Sequence, residues 1–269
     1  MKKLGIIAGK GALPQKIYEY CKANKIECFI AYISEQDEAS IISKNSHFFK
    51  IGEVGKILKF FKQHKCNDLI LAGSLKKPNF KKIKIDFKGF ILLGKILRNK
   101  LAGDNAMLTT IISFLEKNKF NIIEVDKIVP NLHLEKGNNN KIKLSNNIES
   151  DIKFGVEILT SLSKYDIGQS IIIQNKRIIG IEAVEGTDEL ILRSKEYIED
   201  NNNPALLIKI LKTNQDRRAD LPTIGIKTIE NMHKSKIKGI AIDVENCIVI
   251  EKEDICKYAE EKNIFIYGI

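Results

Sequence analysis

Short apolar runs alternate with amphipathic stretches along this chain. Leu4 to Ala8 (LGIIA) is apolar and followed by glycine, which predicts a buried strand. Pro14 to Ala23 places Ile17, Tyr18 and Cys21 on one face and predicts a helix. Glu27 to Ile33 predicts a second strand and His47 to Ile51 a third. An amphipathic helix is expected over Val54 to His64, then a buried strand over Asp68 to Ala72 (DLILA). Longer helices are expected over Phe87 to Asn99 and Asn105 to Lys117, with a strand at Asn121 to Val125. This alternation is the pattern of βαβ units on a parallel sheet.

The pattern then breaks. Pro130 to Leu144 holds the polar string GNNNK (Gly137 to Lys141) and reads as a linker. Beyond it, Ile148 to Leu162 predicts a helix, and Ser170 to Gln174 with Arg177 to Ala183 a hairpin turning at Asn175 and Lys176. Helices are expected over Thr187 to Tyr197, Ile226 to His233 and Lys252 to Lys262, and strands over Ala205 to Leu211 and Ile264 to Tyr267. Gly239 to Val244 and Cys247 to Ile250 are expected to pair across a turn at Glu245 and Asn246. The fold class is therefore α/β, with two α/β domains. Residues 1–132 form a Rossmann-like domain with a parallel sheet, 133–144 the linker, and 145–269 a catalytic domain with a mixed sheet and helices.

Composition narrows the partners. With 269 residues, 43% hydrophobic and 29% charged, the chain has ample core for a soluble globular protein. The net charge of +10 favours anionic partners, although lysines spread along an Ile- and Asn-rich chain explain much of it. Aromatic residues are 7% and tryptophan is absent, which argues against a nucleic-acid-binding face. The five cysteines form no CxxC pair, as expected of reduced thiols. No apolar run approaches the roughly 18 residues of a membrane span, and no secretory signal is recognised. A cytoplasmic location follows as an expectation.

Four segments carry candidate chemistry. Gly9, Lys10 and Gly11, ahead of Pro14, join the first strand to the first helix, where glycines and a helix N-terminus suit an anion. A plain tight turn explains them equally, since the third glycine of a dinucleotide fingerprint is missing. Asp104 and Asn105 precede a helix, and an N-cap is their commoner role. Glu182, Glu185, Gly186, Thr187 and Asp188 lie between a strand and a helix, with Thr187 placed to cap. Finally, Asp216, Arg217, Arg218 and Asp220 combine carboxylates that suit a hard cation with guanidinium forks that suit phosphate. On helix-like backbone both carboxylates would share a face; mutual surface ion pairs are the competing account.

The strings EGTD (Glu185 to Asp188), QDRRADLPTIG (Gln215 to Gly225) and GIAIDVENCIVIEKEDI (Gly239 to Ile255) closely resemble the UDP-2,3-diacylglucosamine pyrophosphatases of the LpxI type. GIIAGKGALP (Gly5 to Pro14), AGSLKKP (Ala72 to Pro78), GDNAML (Gly103 to Leu108) and DIGQS (Asp166 to Ser170) stand where that family has similar strings. The resemblance implies Mg²⁺-dependent hydrolysis of UDP-2,3-diacylglucosamine to lipid X and UMP, with water attacking the α-phosphorus, in the lipid A pathway. It implies an essential carboxylate at Asp220 or, next, Asp216. Arg217 and Arg218 would stabilise charge, and Asp220, Asp216, Glu185 and Asp188 would hold the ion. Gly9, Lys10, Gly11, Asp104, Gly186, Thr187, Gln215 and Thr223 would meet the substrate. Asn105 stands where a second acid is expected. Peripheral contact with the inner membrane is implied, nucleic acid is not, and a homodimer is left open. A nucleotide-cofactor oxidoreductase, suggested by the glycine-rich turn, and a basic nucleic-acid-binding protein are the rival readings.

Overall fold

The computed structural model describes residues 1–33, 43–75, 84–98, 103–143, 148–199, 203–213, 215–218 and 221–269. The chain divides into two compact units, one of Met1–Pro130 with Asp216–Asp220, the other of Asn131–Gln215 with Leu221–Ile269.

The first unit runs β1 (Lys3–Ala8), α1 (Leu13–Ala23), β2 (Glu27–Ile33), β3 (Ser46–Phe49), α2 (Val54–Gln63), β4 (Asp68–Ala72), α3 (Phe87–Arg98), α4 (Gly103–Lys117) and β5 (Asn121–Ile122). All its strands are parallel, in the order β3-β2-β1-β4-β5. Successive side chains point to opposite faces of a strand, and β2 shows the consequence. Phe29 and Ala31 join the core built with Ile57 and Phe61 of α2 and Ile112 of α4. Cys28 faces Cys21 of α1 instead. Helices therefore cover both faces, as a parallel sheet requires. The last expected strand is shorter than Asn121 to Val125, because a 3₁₀ turn begins at Val125.

The second unit runs β6 (Gly137–Asn138), α5 (Ile148–Ser163), β7 (Ser170–Gln174), β8 (Arg177–Ile181), α6 (Thr187–Ser194), β9 (Ala205–Lys209), β10 (Thr223–Ile224), α7 (Ile226–Lys234), β11 (Ile237–Ile242), β12 (Ile248–Val249), α8 (Lys252–Glu261) and β13 (Phe265–Gly268). Its main sheet has the order β6-β13-β11-β9-β7-β8, parallel at its centre and antiparallel towards both edges. Ile172 and Leu207 pack under α6, α7 and α8, whereas Ile171, Ile173, Leu206 and Ile208 pack under α5. The hairpin turns at Asn175 and Lys176, both at positive φ (52° and 57°), as a type I′ turn demands. Asp151 of α5 accepts both their amides at 2.8 Å.

Three expectations change. Residues 248–249 do not pair with β11, whose two edges are already taken by β9 and β13. They pair in parallel with β10, a strand not anticipated. The polar run from residue 133 contributes β6 to the sheet edge, and Asn139 and Asn140 donate to the carbonyls of Glu135 and Ile264 at 2.7 and 2.8 Å. The helix expected to reach Tyr197 ends at Ser194 and continues as a 3₁₀ turn.

Candidate active site

In the second unit, polar residues converge at the carboxyl edge of the parallel strands, where open α/β sheets place ligands. Lys209 closes β9 and stands opposite Ser170, the first residue of the antiparallel β7. Glu182 follows β8, and Gly186, at φ +84°, turns the chain into α6. The Thr187 hydroxyl donates to Glu182 Oε2 at 2.9 Å and accepts from Lys209 Nζ at 2.6 Å, with Ser170 Oγ 3.2 Å away. Glu182 and Lys209 are both buried. Among the described residues Lys209 has no carboxylate at ion-pair distance; its charge reaches Glu182 only through the hydroxyl. Such burial is costly unless the ammonium is compensated. Thr187 is thus not the helix cap expected of it. Gly186 occupies that position, no side chain caps α6, and the hydroxyl bridges an acid and a base instead.

The other acids of this turn are engaged with cations. Glu185 accepts from Arg193 Nη2 at 2.8 Å, and backbone amides with this guanidinium hold its pKa below the ordinary value. Asp188 pairs with Lys227 at 3.1 Å. Gln215 is buried and its amide donates to the Lys212 carbonyl at 3.0 Å, closing a turn. Thr223 lies on β10, its hydroxyl donating to the Leu221 carbonyl at 3.0 Å. Asp166 pairs with Lys212.

In the first unit, residues 216–218 are loop and turn. Arg218 grips both oxygens of Asp216, Nε at 3.0 Å and Nη2 at 2.7 Å, and also reaches Glu116. Arg218 accordingly lowers the Asp216 pKa, against the opposing effect of burial. Arg217 donates to Glu124 at 3.1 Å and to Asp126 at 2.5 Å. Burial raises the Glu124 pKa, but Lys127 and Arg217 outweigh it and the net shift is downward. Asp220 lies outside the described residues.

The glycine-rich turn packs against the loop after β4. Gly9 donates its amide to Ala72 O and Lys10 to Ser74 O, both at 2.8 Å, and Lys10 O accepts from Ser74 at 2.9 Å. A Cβ on Gly9 would stand 2.4 Å from Ser74 O, and one on Gly73 (φ +85°) 2.5 Å from Lys10 O. These amides serve loop packing, so the Gly9 amide is not available to a phosphate. Gly11, at φ +108°, faces open space. Asp104 and Asn105 fall inside α4 rather than before it, so neither is the expected cap; the Asp104 side chain lies outside the described residues.

Of the four expected metal ligands, Asp216, Glu185 and Asp188 are each matched by a cation, and Asp220 is undescribed. Among the described residues no three His, Cys, Asp or Glu gather as a metal site. With Asp220 undescribed, the described carboxylates do not by themselves complete a magnesium site. Sequence reading missed Lys209, Glu116, Glu124 and Asp126. Lys209 had left a signal, a lone charge closing the apolar run ALLIK. Of the other three, Glu116 lies on α4, Glu124 just after β5 and Asp126 in the 3₁₀ turn that follows, with no motif around them.

Comparison with known proteins gives the frame for these residues. Residues 3–132 match the LpxI N-terminal domain and residues 135–267 the LpxI C-terminal domain. A UDP-2,3-diacylglucosamine pyrophosphatase LpxI from Caulobacter vibrioides is 27% identical over 274 aligned positions, covering 100% of this chain and 98% of that protein. A short chain dehydrogenase family protein from Francisella tularensis subsp. tularensis, 17% identical over 62% of this chain and 66% of its own, superposes with a TM-score of 0.24, too low to count as a shared fold. The two domain models together account for nearly every residue, and the chain belongs to the LpxI family.

Proposed function

We propose that this protein hydrolyses the pyrophosphate of UDP-2,3-diacylglucosamine, giving lipid X and UMP in lipid A synthesis, with water attacking the α-phosphorus. The observation that carries the proposal is the end-to-end match to a pyrophosphatase of that specificity. The residues are suited to such chemistry, which calls for donors aimed at non-bridging oxygens and a carboxylate that positions water. Lys209, the Thr187 hydroxyl and the uncapped N-terminus of α6 lie together at one sheet edge and would bind phosphate oxygens. Because Arg218 occupies both oxygens of Asp216, Asp220 is the better candidate for the essential carboxylate.

Magnesium belongs to the proposal on the family resemblance. The substrate carries two acyl chains, so the enzyme would meet it at the cytoplasmic face of the inner membrane. Incubating purified protein with UDP-2,3-diacylglucosamine, with magnesium or with a chelator, tests the reaction and its metal dependence. UMP should appear only with the metal. Release of UDP, or no release, would refute the reaction.

A further inference from the structure

Helix α3 is apolar on two faces. Its inner face buries Leu92 and packs Ile91 and Ile96 into the core of the first unit. Its outer face follows the spacing Phe87, Phe90, Gly94, Leu97, the recurrence of one helical stripe. Phe87 is 76% exposed, Phe90 68% and Leu97 46%, and Ile85 is exposed just before the helix. Two neighbouring phenylalanines this open to water form a patch of the kind that marks an interaction surface.

The charge around the stripe says what it meets. Lys84, Lys88 and Arg98 are exposed along it. The sequence from Leu75 to Ala102 carries nine basic residues against a single acid, Asp86, and so holds eight of the ten net positive charges of the chain. That acid is spent on the backbone, accepting from the amides of Gly55 at 2.7 Å and Gly89 at 2.8 Å. A helix with exposed phenylalanines beside exposed Lys84, Lys88 and Arg98 suits the interface of an anionic bilayer, where rings enter the acyl boundary and lysines meet lipid phosphates.

We infer that the outer face of α3, centred on Phe87 and Phe90, docks this protein onto anionic membranes. The inference concerns binding alone and does not depend on the hydrolysis proposed above. Co-sedimentation of the full chain with vesicles tests it, using phosphatidylcholine alone and phosphatidylcholine mixed with phosphatidylglycerol. Wild-type protein should pellet with the mixed vesicles only. The double variant F87S/F90S, altered at exposed positions and checked for an unchanged melting temperature, should bind at least about tenfold more weakly. K84E/K88E should lose a similar factor, whereas K234E/K238E, with the same change in net charge, should bind as wild type. Equal binding by F87S/F90S and wild type would overturn the inference. So would equal loss in K234E/K238E, or a wild-type dimer that F87S/F90S splits while vesicles bind neither form.

Discussion

Lys209 Nζ lies 2.6 Å from the hydroxyl of Thr187, and this contact joins a buried ammonium to the first residue of a helix. The same hydroxyl donates to buried Glu182, so a base, an alcohol and an acid form one chain of hydrogen bonds at the sheet edge. A lysine held this way keeps donor capacity in reserve. In the proposed reaction that capacity meets a phosphate oxygen.

Replacing Lys209 should affect both stability and function. Lys209→Met keeps the aliphatic part of the side chain but leaves buried Glu182 with no cation in its hydrogen-bond chain, so the melting temperature should fall. UMP release should fall by about a hundredfold or more, the loss expected for an electrostatic donor. Thermal unfolding beside a single-turnover assay reads both. A destabilised but fully active variant would show that Lys209 serves the fold.

The glycines of the first unit should behave as packing residues. Gly9→Ala drives a Cβ to 2.4 Å from a backbone oxygen and should cost about 2–3 kcal/mol, measured by urea unfolding. Gly11→Ala meets no atom and incurs only the strain of φ +108°, about 1 kcal/mol.

Acid should weaken the protein through its guanidinium-held carboxylates. Asp216, Glu124 and Glu185 all have pKa values lowered from 3.8 or 4.5. A carboxyl with a depressed folded pKa stabilises above its unfolded value, and that stability is lost as pH falls through the folded value. The melting temperature should therefore be level above about pH 5 and drop below about pH 4. Arg218→Gln, which releases Asp216 and Glu116, should make the drop shallower.

Much of the fold was legible because apolar runs and turn residues are local signals. The hairpin at Asn175 and Lys176 and the alternation of β1 to β4 with helices follow from spacing alone. The pairing of β12 with β10 does not, since it depends on β11 having both edges filled by strands distant in sequence. At the site, the acidic turn before α6 was visible as a motif. Its working contact was not, because Lys209 lies 22 residues from Thr187 and only the sheet register brings them together. The arginine contacts with Glu116 and Glu124 span 102 and 93 residues, and no spacing rule reaches so far.

Hydrolysis assigned to Asp220 is the central claim. UMP release from UDP-2,3-diacylglucosamine, with magnesium present, should be measured for wild type, Asp220→Ala and Asp216→Ala. The account predicts rapid release by wild type and a loss of about a thousandfold or more in Asp220→Ala. Asp216→Ala, which frees Arg218, should lose less. Normal release by Asp220→Ala, or none by wild type, would contradict it.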